Sequence, residues 1–325
     1  MATMSPNGSS ILPSHPEANA CSGTPHAGVA ARRERVTLRS VRAMKEAGTP
    51  FACVSVYDAT LAALFEQGGV PVMLVGDSAA QVVLGLPRTI DMPMDVLIAL
   101  TAGVRRGAPH ALIMADLPFL SYHMDTAQAL HNAGRFMTEG MADIVKLEAD
   151  ASFVPVVQAM TRAGIPVCAH IGMHPQRAAL RGGYMAAGKT AAEAHQIVRD
   201  AIALEQAGAA LLLVEAVPDE VAARIVRETT VPVIGIGAGP SCHGQILVAH
   251  DMLGLTANVP GFVGVRSDLG AEVIRTAREW ASRVERRDIG AKAYRMKDGE
   301  RELFEQGQTR TSETAHLPNM EPTSR

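Results

Sequence analysis

Eight short aliphatic or β-branched runs recur between residues 51 and 250, and stretches with helical periodicity fill the gaps between them. The runs lie near 51–56 (FACVSV), 72–76 (VMLVG), 111–115 (ALIMA), 143–147 (DIVKL), 166–170 (PVCAH), 210–214 (ALLLV), 232–236 (PVIGI) and 246–250 (ILVAH). The later runs are apolar almost without interruption, the pattern of strands buried on both faces of a parallel sheet. Between them, Ile197, Ala201, Leu204 and Gly208 follow the spacing of one helical face, and so do Val273, Ala277, Trp280 and Val284. Pro218-Asp219-Glu220 reads as a first helical turn, Asp125 and Asp150 as N-caps. Gly68-Gly69, Gly140, Gly164 and Gly208 read as helix ends. Eight β/α units in roughly 235 residues predict an α/β chain folded as a (β/α)8 barrel. A doubly wound open sheet is the alternative, but Val56-Tyr57-Asp58 follows the first strand where that fold usually carries G-x-G-x-x-G.

Composition agrees with one large folded domain: 47% hydrophobic and 19% charged residues suffice for a sizeable core, and only 4% are aromatic. A net charge of −3 gives no electrostatic reason to expect nucleic acid. Four cysteines stand singly, without a C-x-x-C pair, which argues against a disulfide framework or a zinc site and for a reducing compartment. No apolar run approaches the ~18 residues of a membrane span, so no membrane association is expected. Residues 1–35 are rich in Ser, Pro, Gly and Ala and end in Arg32-Arg33-Glu34-Arg35. They read as a disordered leader of a cytoplasmic protein, with an organellar transit peptide as the alternative. The folded barrel is expected over 36–290, and 291–325 as a polar tail.

In a barrel the C-terminal ends of the strands share one mouth. Asp58, Asp77, Asp116, Glu148 and Glu215 all fall at such ends, with Lys146 and His170 among them. Converging carboxylates in a low-dielectric mouth repel one another by several kcal/mol unless a positive charge stands between them. A bound cation is the economical explanation, and an all-oxygen ligand set selects Mg²⁺ first and Mn²⁺ second. Asp77, Asp116 and Glu148, from adjacent strands, form the natural cluster. The alternative is that these acids cap the following helices or pair with Arg and Lys. Lys146 precedes Glu148 by two residues and shares its side of the strand, suited to hold a substrate carboxylate or, alternatively, to pair with Glu148. Glu215 ends an apolar run, so desolvation should raise its proton affinity as a general base requires; a helix cap is the alternative. The long stretch His170–Lys189, with Gly172, Gly182, Gly183 and Gly188, is suited to a lid, and Gly235–Gly239 to anion binding through backbone N–H groups.

On these residues the chain resembles the ketopantoate hydroxymethyltransferase family. The resemblance rests on Val72–Ser78, Ala102–Pro109 (AGVRRGAP), Ala115–Phe119, Val145–Glu148, His170-Ile171-Gly172, Pro175-Gln176, Gly182-Gly183-Tyr184, Leu213–Pro218 and Ile234–Gly239 (IGIGAG), in order through residues 36–285. It implies a TIM barrel of the phosphoenolpyruvate/pyruvate-binding type, assembled as a homodecamer. It also implies Mg²⁺ held at Asp77, Asp116 and Glu148, and a 2-oxo acid, 3-methyl-2-oxobutanoate, bound at Asp77, Ser78, Asp116 and Lys146. Glu215 aligns with the family's proton acceptor. 5,10-Methylenetetrahydrofolate would be the co-substrate, and 2-dehydropantoate and tetrahydrofolate the products. A diverged enzyme running aldol-type C–C chemistry on another 2-oxo acid is the alternative, and a non-catalytic binding barrel the remote one.

The chain departs from the family where Ala79-Ala80-Gln81 replace Leu-Gly-Met, His174 replaces Thr, His243 replaces Asp, and Pro260-Gly261-Phe262 lacks a lysine. If the replaced glycine needed positive φ, Ala80 forces a different turn at a cost of about 1 kcal/mol. All four departures are expected beside the active face, where they would alter substrate preference.

Overall fold

A computed structural model describes residues 34–257, 259–264, 267–290 and 293–307. Most of the expected leader and residues 308–325 of the expected tail lie outside the described residues. Among the described residues eight parallel strands close a barrel in chain order. They are β1 (Phe51–Ser55), β2 (Val72–Val75), β3 (Leu112–Asp116), β4 (Ile144–Glu148), β5 (Val167–Gly172), β6 (Leu211–Glu215), β7 (Val233–Ile236) and β8 (Gly244–Val248). Helices α1 (Leu38–Glu46), α2 (Ala59–Gln67), α3 (Ala79–Val82), α4 (Met94–Gly107), α5 (Thr126–Thr138), α6 (Val154–Arg162), α7 (Ala191–Gln206), α8 (Asp219–Glu228) and α9 (Ala249–Met252) belong to the same unit.

The side-chain period of two along each strand divides the core. Val54, Met73, Ile113, Val145, Ala169 and Leu212 pack outward with the helices. Phe51, Cys53, Leu74, Met114, Cys168 and Leu211 form a separate inner cluster on the barrel floor. Toward the C-terminal ends that inner face turns polar: Met114 is followed at i+2 by Asp116, Ile144 by Lys146 and Glu148, Cys168 by His170, and Leu213 by Glu215. The floor is apolar, and among the described residues the buried polar side chains of the strands' inner faces gather toward the C-terminal ends.

β8 begins two residues earlier than the apolar pattern predicts, and Ala249 and His250 are helical instead. The reason is Gly244, which pairs with both Phe51 and Ile234. A β-carbon there would lie 2.4 Å from the Phe51 ring that plugs the floor, so a glycine opens the strand. Helix ends follow local chemistry. Asp125 accepts from the Gln128 N–H at 2.8 Å to cap α5, and Asp150 accepts from the Ser152 N–H at 2.9 Å to cap a 3₁₀ turn.

The described residues divide into two compact units, the second comprising residues 253–255, 267–290 and 293–307. It holds α10 (Leu269–Glu285), whose Val273, Trp280 and Val284 are exposed, and α11 (Glu300–Glu305), a short helix within the expected polar tail. No helix among the described residues is long and apolar enough to cross a membrane.

Candidate active site

Register brings the polar strand ends side by side: Asp116 pairs with Lys146, Glu148 with His170, and Gly172 with Glu215. Asp77 joins them from the turn after β2, where its backbone N–H donates to Asp116 Oδ2 at 3.0 Å. Asp77, Asp116, Lys146, Glu148 and His170 are all buried. Lys146 Nζ lies 2.6 Å from Asp116 Oδ1 and 3.3 Å from His170 Nδ1. His170 Nε2 in turn lies 3.2 Å from Glu215 Oε2. An ammonium only donates, so Nδ1 must accept, and the ring proton sits on Nε2, facing Glu215. The expected alternative of a Lys146–Glu148 pair gives way to a Lys146–Asp116 pair.

Gly172 is required by this arrangement. Its φ is 94°, and a β-carbon would lie 2.5 Å from the Glu215 carbonyl oxygen. Gly76 is similarly confined, since a β-carbon there would stand 3.0 Å from Ser78 Oγ and 3.3 Å from Asp116 Oδ2. Ser78 Oγ is hydrogen-bonded to Tyr57 Oη at 2.7 Å, and Tyr57 Oη also accepts from Ser55 Oγ at 3.1 Å.

Burial dominates the electrostatics. Desolvation, and then the charge of Asp116, push the Asp77 carboxyl up to about 7. Desolvation raises Asp116 and Glu148 as well, and Lys146 opposes the rise at both. Glu215 is pushed up to about 7 by desolvation, again opposed by Lys146. Burial alone would depress the Lys146 ammonium, but Asp116 and Asp77 outweigh it, so its proton is held more tightly than in water. His170 is driven well down by burial and by Lys146, and is therefore neutral.

The donor set suits a hard divalent cation. Four carboxylates face one ammonium, the donors are oxygens, and Asp116 Oδ1 is buried without an aligned hydrogen bond despite its short contact with Lys146. His170 Nε2 is likewise buried without an aligned partner. As the side chains stand, no three Asp, Glu, His or Cys groups among the described residues form a ready-made cage. The carboxylates of Asp77, Asp116 and Glu148 each accept from a donor of the protein. Asp77 Oδ2 accepts from Gln176 Nε2 at 2.9 Å, and both Glu148 oxygens accept from the Gln176 backbone N–H at 3.0 and 3.2 Å.

Several expectations need correction. Asp58 does not join the acids of the mouth: it is exposed and caps α2 by accepting from the Leu61 N–H at 2.9 Å. Ala80 causes no strained turn, because it lies buried in α3 with ordinary helical backbone. His243 does not lie beside the active face. Its Nδ1 accepts from the Val233 N–H at 3.1 Å, at the opposite, N-terminal end of the strands. The other two departures do lie on the active side: His174 is buried against His170, and Phe262 covers Gly237. In the glycine run after β7, the Asp219 carboxylate occupies the space beside Gly239, which disfavours a further anion there. Glu215 caps no helix, since Pro218 holds the N-cap position of α8. Sequence reasoning assigns no role to Gln176 or Tyr57 and does not single out Ser55. Ser55 shares the inner face of β1 with Phe51 and Cys53, so the period of two would have found it; Gln176 carries no such signal.

The profile of the family described as ketopantoate hydroxymethyltransferase matches residues 35–292. The chain is 47% identical over 254 residues to the 3-methyl-2-oxobutanoate hydroxymethyltransferase of Hyperthermus butylicus, covering 78% of this chain and 88% of that protein. It is 44% identical over 255 residues to the enzyme of that name from Moorella thermoacetica, covering 78% and 95%. Among solved structures, phosphonopyruvate hydrolase complexed with oxalate and Mg²⁺ is similar with a TM-score of 0.54 at 15% identity, covering 83% of this chain and 95% of that one. 2,3-Dimethylmalate lyase, a PEP mutase/isocitrate lyase superfamily member, is similar with a TM-score of 0.51 at 17% identity, covering 82% and 92%. At those identities the two structures speak for the barrel fold alone. The match over nearly the whole barrel, together with the relatives' identity, shows that the chain belongs to the ketopantoate hydroxymethyltransferase family.

Proposed function

We propose that this chain transfers a hydroxymethyl group from 5,10-methylenetetrahydrofolate to 3-methyl-2-oxobutanoate, giving 2-dehydropantoate and tetrahydrofolate. The observation that carries the reading is the Glu215 carboxyl, raised to about 7 and facing a buried Lys146–Asp116 pair across His170. Mg²⁺ at Asp77, Asp116 and Glu148 would act as Lewis acid and template for the keto acid. Lys146, fully protonated, would hold the substrate carboxylate, and the Asp77-Ser78 turn would bound the substrate on the β2 side.

A base that titrates near neutral pH both accepts and releases a proton readily. Glu215 would therefore take the proton from C3 of the substrate, and His170 Nε2–H would steady the carboxylate through the transfer. Water would add to the methylene carbon of the donor as both of its C–N bonds break, its two protons going to the two nitrogens, which releases tetrahydrofolate and leaves the one-carbon unit as formaldehyde. The electron pair left on C3 would attack that carbon, and the carbonyl oxygen becomes the hydroxyl by taking back the proton held on Glu215. Burial of Asp77, Asp116, Lys146, Glu148 and His170 would limit the access of bulk solvent to the carbanion. A homodecameric, cytoplasmic enzyme belongs to the same reading.

The test is product formation. With 3-methyl-2-oxobutanoate, methylenetetrahydrofolate and Mg²⁺, 2-dehydropantoate should accumulate, and EDTA should stop it until Mg²⁺ is restored. Deprotonation of the keto acid without product would favour aldol-type chemistry with another acceptor. Absence of both product formation and deprotonation would refute the proposal.

A further inference from the structure

The segment after β5 departs from the barrel pattern. Pro175–Arg181 forms a 3₁₀ helix closed by Gly182 and Gly183, at φ 73° and 138°. It borders a cavity of about 430 Å³, lined by Asp150, His174, Arg177, Arg181, Glu193 and Asp200 among others, rather than close-packed core. Leu180 is 85% exposed, so the segment gains little from apolar burial. Tyr184, just beyond it, is exposed.

Arg177 Nη1 ties this stretch to Asp150 Oδ2 at 2.6 Å, and one of its side chains is buried and fully committed. Gln176 Nε2 donates to Asp77 Oδ2 at 2.9 Å and to the Leu117 carbonyl at 3.2 Å. Its Oε1 accepts from Tyr122 Oη at 2.9 Å. Its backbone N–H donates to both oxygens of Glu148. The amide cannot be reversed, because a carboxylate and a carbonyl can only accept from it. A single residue of the loop thus reaches two of the three carboxylates assigned to the cation, and they come from different strand ends.

We infer that Gln176 is a positioning residue of the cation site, one that couples cation binding to the seating of the Pro175–Gly183 segment. The inference rests on the reading of Asp77, Asp116 and Glu148 as cation ligands. β3 and β4 fix the backbones of Asp116 and Glu148, and the turn after β2 that of Asp77, but the backbone leaves their terminal torsions free. The Gln176 amide restricts Asp77 and its backbone restricts Glu148, which is how outer partners orient metal ligands. Linkage makes the effect reciprocal. If a seated segment favours the cation, the cation favours the seated segment by the same factor.

Gln176→Met tests this with side-chain length and volume preserved. It removes the donation to Asp77 but keeps the backbone contact with Glu148. Tyr122 Oη retains the Glu148 carbonyl, 3.2 Å away. Two measurements are made on the full chain without substrate: Mg²⁺ titration by calorimetry, and amide hydrogen exchange across 175–183 with and without Mg²⁺. Mg²⁺ should slow exchange in the wild-type segment, and Gln176→Met should bind Mg²⁺ about 10–100-fold more weakly with that protection lost. A space-filling role alone would leave both unchanged. Wild-type protein that binds no Mg²⁺ would overturn the cation reading and this inference together. Wild-type binding without slower exchange at 175–183, or Gln176→Met affinity within about threefold of wild type, would overturn the inference alone. The exchange measurement on unmodified protein decides the matter even if the variant does not fold.

Discussion

Replacing His174 with glutamine should make the fold less sensitive to acid. The ring is 9% exposed, its Nε2 donates to the His170 carbonyl at 3.0 Å, and it stands edge-on to the His170 ring. Burial, followed by His170 and Arg177, pushes its pKa from 6.5 down to about 3. The folded chain therefore keeps this ring neutral at mildly acid pH, while the unfolded chain protonates it near 6.5. With the folded value depressed, the unfolded state binds more protons between those limits. The stability is complete above about pH 6.5 and is lost as pH falls toward about 3. At pH 5 the unfolded ring lies 1.5 units below its midpoint, which costs the fold about 2 kcal/mol; at pH 7.5 the cost is about 0.1 kcal/mol. Glutamine keeps an N–H for the His170 carbonyl and does not titrate. The assay is urea unfolding of wild type and His174→Gln, at one protein concentration, at pH 7.5 and pH 5.0. Between the two, the stability difference should move toward the variant by about 2 kcal/mol. Parallel losses in the two proteins, within about 0.5 kcal/mol, would refute the argument that His174 is held neutral by burial.

Two backbone positions beside Glu215 give further tests. Gly172→Ala forces a side chain into left-handed backbone and against the Glu215 carbonyl, 2.5 Å from the new β-carbon. It should cost about 2–3 kcal/mol in urea unfolding and lower kcat by displacing the base; wild-type values of both would show that the close approach relaxes freely. Ala216, which follows Glu215, already has φ 46°. Ala216→Gly should raise stability by about 0.5–1 kcal/mol by relieving that strain, net of the added chain entropy, and a lower melting temperature would rule the strain out.

The barrel was legible because its strands carry two signals at once. Apolar continuity marks where each strand lies, and the switch from apolar to polar at i+2 or i+4 marks which end is the mouth. Asp116, Lys146, Glu148 and Glu215 were found in that way, since each continues the inner face of its own strand. β8 was displaced because the glycine that opens it looks like a breaker until the Phe51 ring is seen beneath it. Asp58 was misread because a strand-end acid and a helix N-cap occupy the same place in a β/α unit, and only the Leu61 contact separates them. His243 was misplaced for a related reason: the connection from β7 to β8 runs from the mouth to the floor, and the sequence does not mark where along it a residue stands. The role of Gln176 lay beyond reach. Its partners Glu148, Leu117 and Asp77 are 28, 59 and 99 residues away, and its contact with Glu148 is made by a backbone N–H that no residue type specifies.

In the proposed function Glu215 removes the C3 proton of the 2-oxo acid. Proton NMR of 3-methyl-2-oxobutanoate with Mg²⁺ in D₂O, without folate, measures that step alone. Wild-type protein should exchange the C3 hydrogen for deuterium, and Glu215→Gln should bind Mg²⁺ as wild type does while exchange is abolished. Exchange at the wild-type rate in Glu215→Gln would contradict the account.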